Sequence, residues 1–225
     1  MAQRLKEILL SWRTLSWVVL IPVSLFILYK GPPYSVVLGT LVALGILIEW
    51  MGLVKKYPGS KIFFGLIGTA YLTIAVASGL FMLAFNYRTA IGLLLIVWAT
   101  DTAAFLGGSF LKGPKLAPSI SPHKTWSGFL TGMVVGVGVG GVLSWYFLNW
   151  FIVARPLQSG ILLSLLVLTA QLGDLLESKV KRMCDVKDSG NLIPGHGGLL
   201  DRLDSFLAVA FFMAVFVLLL ALTDA

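Results

Sequence analysis

Long apolar stretches separated by short polar ones dominate this chain. Seven runs carry almost no charge, at about 14–29, 34–53, 62–85, 89–110, 128–150, 158–177 and 205–222. Most approach the ~20 residues with which an α-helix crosses ~30 Å of hydrocarbon. Periodicity adds little, because a helix apolar all round suits both lipid and a bundle interior. The pattern predicts an all-α fold, a polytopic transmembrane helical bundle of about seven helices. The first run is short and holds Pro22, which would kink or tilt it. The third and fifth are rich in glycine, which lets helices approach closely.

Composition agrees with this picture. The 225 residues are 58% hydrophobic and 12% charged, with a mean hydropathy of +0.93, whereas soluble domains carry about 25% charge. A formal charge of +7 would point to nucleic acid in a soluble chain. In a membrane protein the positive-inside bias of loops explains it, so no nucleic-acid partner is expected. With the N-terminus in the cytoplasm, fourteen of the 17 Lys and Arg residues fall on the inner side, leaving only Lys30, Arg88 and Arg155 outside. Both long polar segments, 111–127 and 178–204, then face the cytoplasm, where nucleotides are available. The N-terminus, with Arg4, Lys6 and Arg13 ahead of an apolar run, imitates a signal peptide but shows no small-residue cleavage site. It reads as a retained first helix. Trp12, Trp17, Trp50, Trp126, Trp145 and Trp150 lie near the ends of runs and read as interface anchors. The single cysteine, Cys184, excludes an internal disulfide and belongs to no catalytic pair.

Charge concentrates in one place. The stretch 173–205 holds six of the ten acidic residues, Asp174, Glu177, Asp185, Asp188, Asp201 and Asp204, together with Lys179, Lys181, Arg182, Lys187, Arg202 and His196. Charge at a membrane is costly, so such a cluster points to a site that handles ions or charged substrate. Asp174 and Glu177 stand three residues apart near the end of one run, and Asp201 and Asp204 repeat that spacing before the next. Four carboxylates at one rim suit a hard cation such as Mg²⁺; the alternative is a salt-bridge network with Lys181, Arg182 and Arg202. Asp101 lies inside the fourth run, where it either serves a site or makes a structural hydrogen bond, and Glu49 is open between snorkelling and function. Gly195, Gly197 and Gly198 around His196 indicate a tight turn. The other polar segment sets Lys112, Lys115, Lys124, Ser119, Ser121 and Thr125 among Pro114, Pro118 and Pro122, a stiffened basic loop suited to phosphate or to anionic lipid. No zinc spacing and no GxxxxGK[ST] phosphate loop occur. The residues alone indicate an integral membrane enzyme with a cytoplasmic, metal-dependent site for a phosphate-bearing substrate.

The same stretch resembles the signature of the phosphatidate cytidylyltransferases, the CDP-diacylglycerol synthases. Ser178, Lys181, Arg182, Lys187, Asp188, Pro194, His196, Gly197, Gly198, Asp201, Arg202 and Asp204 match it in register. Upstream, Asp101, Ala104, Phe105, Gly108, Ser121, Pro122, Lys124 and Thr125 resemble the family's second conserved region, so the likeness covers roughly the C-terminal 130 residues. The chain departs from the family pattern at Ser127, where an acidic residue is common, and at Phe105, where a Tyr is frequent. It is also short for the family. The resemblance implies one continuous membrane unit with N-terminal helices over 1–88 and a catalytic part over 89–225, in the inner membrane of a bacterium.

It further implies transfer of CMP from CTP to phosphatidic acid, giving CDP-diacylglycerol and pyrophosphate, with Mg²⁺ as one or two cations. Asp174 and Asp201 would be the metal ligands, with Asp204 and Glu177 supporting them. Lys181, Arg182, Lys187, Lys124 and Arg202 would hold the phosphates, and His196 would bind phosphate rather than abstract a proton. Asp101, Ser121 and Thr125 would complete the nucleotide pocket beside Asp188, Gly197 and Gly198. The resemblance also suggests a homodimer. Two other readings are a CTP-dependent polyprenol or phytol-type lipid kinase and an ion transporter with intramembrane carboxylates.

Overall fold

The computed structural model describes residues 22–147, 156–193 and 197–223. Residues 22–30 are helical. Six longer helices follow: α1 (Tyr34–Lys56), α2 (Lys61–Phe85), α3 (Tyr87–Leu111), α4 (Trp126–Phe147), α5 (Pro156–Met183) and α6 (Leu200–Thr223). A hairpin of β1 (Lys115–Ala117) and β2 (Ser121–Thr125) joins α3 to α4. Each of the six helices contains a stretch long and apolar enough to cross a membrane. The all-α polytopic bundle expected from the hydrophobic pattern is therefore what forms; the first half of its first run, 14–29, lies outside the described residues.

Short connections dictate how the helices stack. Four residues join α1 to α2, and Asn86 alone joins α2 to α3, its side-chain Oδ1 accepting a hydrogen bond from Thr89 N at 3.4 Å. Consecutive helices must then run antiparallel. That order gathers the ends of α1, α3 and α5 and the starts of α2, α4 and α6 at one rim, with the hairpin and the 184–199 loop. Residues far apart in sequence meet there.

Glycine sets the tightest crossing. A Cβ on Gly128 would lie 3.2 Å from Gly108 Cα, and one on Gly132 would lie 3.0 Å from Ala104 Cβ, so α3 and α4 touch almost backbone to backbone. In the third run, Gly68 leaves a slot for the Trp50 ring, whose Nε1 donates to Thr69 Oγ1 at 3.0 Å. Trp50 is only 5% exposed, and so packs between α1 and α2 instead of anchoring the chain at an interface. The slot and the hydroxyl partner for its indole N–H explain the difference. Trp126, 48% exposed, keeps the character expected of an anchor. Two apolar clusters fill the bundle, one around Ile46, Leu53 and Leu72, the other around Leu93, Val97 and Val167, and α6 joins both through Leu207 and Val209.

The polar segments are more ordered than their sequence suggests. The proline-rich loop pairs as an antiparallel ribbon, Lys115 opposite Thr125 and Ala117 opposite Ser121. A two-stranded ribbon has a free outer edge on each strand, and there a residue without an N–H, such as Pro122, is tolerated. The 178–204 segment is shortened from both sides, because α5 continues to Met183 and α6 starts at Leu200. Lys181 and Arg182 suit the negative end of α5, and Asp201 suits the positive start of α6, so both helices extend into charged sequence.

Candidate active site at the helix rim

The last turns of α5 supply one wall of the site. Asp174, Glu177, Ser178 and Lys181 fall at positions i, i+3, i+4 and i+7, and share a helix face. Lys181 Nζ lies 2.6 Å from Glu177 Oε2 and 2.7 Å from Asp201 Oδ1, tying α5 to α6 through a triad that is largely buried. Part of the acidic cluster is thus the salt-bridge network that the residues left open, and Lys181 already has two carboxylate partners. Asp174 belongs elsewhere. Its Oδ2 lies 2.7 Å from Lys124 Nζ on β2, and Ser178 Oγ donates to Oδ1 at 3.4 Å.

The start of α6 and its preceding loop supply the second wall. Asp201 Oδ2 accepts from Gly198 N at 2.8 Å and from Ser189 N at 3.0 Å, reaching back three residues as the acidic half of a capping box does. Ile193 and Gly197 pair across the loop, Ile193 N donating to Gly197 O at 3.0 Å, and Gly197 takes φ +83°, a left-handed conformation that glycine adopts without strain. His196, Pro194 and Gly195 lie outside the described residues. Lys187, Asp188 and Arg202 are exposed, with Asp188 beside Gly197.

The hairpin supplies the third wall. Thr125 is buried at the start of α4, where its Oγ1 accepts from Gly128 N at 3.2 Å and pairs with Ser127 Oγ at 3.0 Å; Ser127 Oγ also donates to the Lys112 carbonyl. In the position where an acidic residue is common, Ser127 closes the turn between α3 and α4. Ser121 is half-buried at the start of β2. Arg182 stitches hairpin to loop, Nε donating to Ile120 O at 3.4 Å and Nη1 to Val186 O at 3.3 Å. Phe105 is 73% exposed on α3.

Asp101 and Asp204 complete the centre. Both feel the charge of Asp174, and Asp204 also feels that of Asp101. Three carboxylates from α3, α5 and α6 thereby meet near Lys124, which pairs with Asp174, and the charge of Lys181 also reaches Asp204. Hard oxygen donors gathered in this way fit a cation such as Mg²⁺. Asp201, whose oxygens take up Lys181 and two main-chain N–H groups, holds the loop in shape. Among the described residues no three His, Cys, Asp or Glu side chains stand in ready-made metal-binding geometry, so the donor chemistry, not a preformed cage, supports the fit.

Two cavities reach this centre. One of about 580 Å³ is lined by apolar residues of α1, α2, α3 and α6, including Val42, Ile46, Leu80 and Leu94, and carries Asp101 and Arg202 at its rim end. A second, of about 430 Å³, is walled by Trp50, Tyr57, Phe64 and Tyr71 and reaches Glu177 and Asp204 from the side of α2.

The sequence also left one buried group unresolved. Glu49 on α1 is 4% exposed and accepts from Leu199 N, Leu200 N and Ser189 Oγ. These partners lie 140 to 151 residues further along the chain. An acid beside an apolar run was the only local signal.

Among the described residues, six apolar spans enclose a rim of paired charges, the make-up of an integral membrane protein with its charged groups gathered at one face. A family model described as the cytidylyltransferase family matches residues 60–220. The chain is 40% identical over 204 residues to a phosphatidate cytidylyltransferase of Rickettsia bellii, covering 88% of this chain and 86% of that one. The same-named protein of Rickettsia felis is 37% identical over 212 residues, covering 90% and 91%. That of Brucella suis is 37% identical over 188 residues, covering 79% and 66%. The chain belongs to the cytidylyltransferase family. Its expected shortness is seen against the Brucella relative and is small against the Rickettsia ones.

Proposed function

We propose that this protein is a CTP:phosphatidate cytidylyltransferase, which transfers CMP from CTP to phosphatidic acid and releases pyrophosphate. The observation that carries the reading is the apolar cavity whose one charged end, Asp101 and Arg202, opens on the carboxylate centre. From Ala90 to Asp101 it follows α3 for about 16 Å at 1.5 Å per residue. An apolar volume of a few hundred Å³ with a few polar groups at one end suits an amphiphile whose tail enters the bundle and whose head stays at the rim. Relatives named as phosphatidate cytidylyltransferases over most of this chain favour that substrate over the polyprenol-kinase and transporter readings.

In this reading a phosphate oxygen of the lipid attacks the α-phosphorus of CTP, the bond to the bridging oxygen of the β-phosphate breaks, and pyrophosphate leaves with that electron pair. The lipid phosphate is already ionised, so no strong general base is needed. Arg202 receives the lipid phosphate at the mouth of the cavity, and Lys124, beside Asp174, faces the nucleotide phosphates together with the exposed Lys187. Asp101, Asp174 and Asp204 would hold Mg²⁺, which when bound offsets the charge of the triphosphate and of the departing pyrophosphate. Lys181 and Asp201 keep α5, α6 and the loop in register. The rim faces the cytoplasm of a bacterial cell, in keeping with the Lys and Arg bias, and the bilayer is the inner membrane. The homodimer rests on family likeness alone.

The test is acceptor choice. Detergent-purified protein supplied with CTP and Mg²⁺ should form a lipid-soluble CDP product with phosphatidic acid and none with a polyprenol. Reaction with the alcohol instead would overturn the assignment.

A further inference from the structure

Glu49 comes from the part of the chain that carries no motif of the resemblance, yet it is built into the centre. Oε1 accepts from Leu199 N at 3.0 Å, and Oε2 accepts from Leu200 N at 2.9 Å and Ser189 Oγ at 3.1 Å. A carboxylate from α1 thus sits on the positive end of α6 and takes up main-chain donors that a phosphate would otherwise seek. Two glycines admit it. A Cβ on Gly190 would stand 2.7 Å from Oε1, and one on Gly198 would overlap both Oε2 and Ser189 Oγ. The loop is wrapped onto this one side chain. Immediately beyond the clamp, the first two turns of α6 present Asp201, Arg202 and Asp204; one and two turns back from Glu49 on α1, Ile46 and Ala43 line the apolar cavity.

We infer that Glu49 is a positioning residue for the transfer reaction. By fixing where α6 starts and how it is turned, it sets Asp204 against Asp101 and Asp174 and aims Arg202 at the mouth of the cavity. It touches neither substrate, and so governs turnover rather than binding. The inference rests on the cytidylyltransferase reading of the site.

Glu49→Gln tests it. The amide has the size of the carboxylate, but its NH₂ must face one of the main-chain N–H donors. In folded protein, kcat should fall at least tenfold while KM for CTP and for phosphatidic acid stays within threefold. Amide hydrogen exchange should quicken over 189–200 and stay unchanged in α3. Normal kcat, or a large rise in KM at unchanged kcat, would overturn the inference. Should Glu49→Gln not fold, Gly190→Ala decides, since it pushes against the same carboxylate from outside. A fall in kcat of threefold or more with faster exchange over 189–200 supports the clamp, and wild-type kcat and exchange refute it. A wild-type protein that makes no CDP-lipid removes the functional reading instead, and the exchange pattern of Glu49→Gln still reports on the clamp by itself.

Discussion

Replacing Asp201 and Asp174 in turn by asparagine separates two residues that the resemblance casts in one role, as metal ligands. Asp201 accepts from Lys181 Nζ at 2.7 Å and from two loop amides, and its side chain is only 7% exposed. In Asp201→Asn the new amide would lose a charge-assisted bond and turn its NH₂ toward an N–H donor of the loop. Losing the bond costs about 1.5–3 kcal/mol and leaving the donor unsatisfied about 1–3 kcal/mol. Together these approach the ~3–5 kcal/mol typical of breaking a buried pair. At roughly 2–4 °C per kcal/mol for a chain of this length, Tm should fall by roughly 10 °C. Asp174 differs. It and Lys124 are 34% and 27% exposed, and a pair so solvated contributes less than ~1 kcal/mol. Asp174→Asn should therefore shift Tm by at most a few degrees, yet lower turnover by about 10² or more, because it removes charge from the set proposed to offset that of the triphosphate. Tryptophan fluorescence during heating, alongside CDP-lipid formation at saturating Mg²⁺, reads both effects. The reasoning fails if Asp174→Asn keeps more than a tenth of wild-type turnover, or lowers Tm as much as Asp201→Asn does.

Other expectations follow from packing. Ala43→Phe projects a ring into the 580 Å³ cavity, so KM for phosphatidic acid should rise at least fivefold while KM for CTP holds; steady-state kinetics in mixed micelles measure both. Gly128→Val would drive methyl groups into the Ala104 carbonyl and Gly108 on α3, an overpacking cost of about 1–3 kcal/mol or more, visible as a loss of monodisperse protein on size exclusion. Burial raises the Cys184 thiol above its ordinary pKa, and its Sγ donates to Leu53 O at 3.5 Å. Since the thiolate is the nucleophile, less of it exists at any given pH, and a maleimide at pH 8 should label native protein far more slowly than denatured protein.

How much of this was legible beforehand depends on range. The helical spans were, because lipid demands long apolar runs and their lengths are written in consecutive residues. The pairing of Asp174 with Glu177 on one helix face was equally local. That Lys181 would join Glu177 to Asp201 could be posed only as a network against a metal site, since the answer depends on how α5 meets α6. The hairpin was hidden by three prolines that argue against strands in any setting except a free edge. Glu49 was the hardest case: its partners are two main-chain amides and a hydroxyl at the far end of the chain, and amides leave no mark in a sequence. Trp50 misled for a related reason, because its slot is made by the missing side chain of Gly68.

The measurement that tests the central claim most directly is the fate of label from CTP. With phosphatidic acid and Mg²⁺, CTP labelled at the α-phosphorus should carry its label into the lipid phase, while label at the γ-phosphorus should leave as pyrophosphate. Gamma label in the lipid with α label left in water would make the protein a lipid kinase and contradict the account.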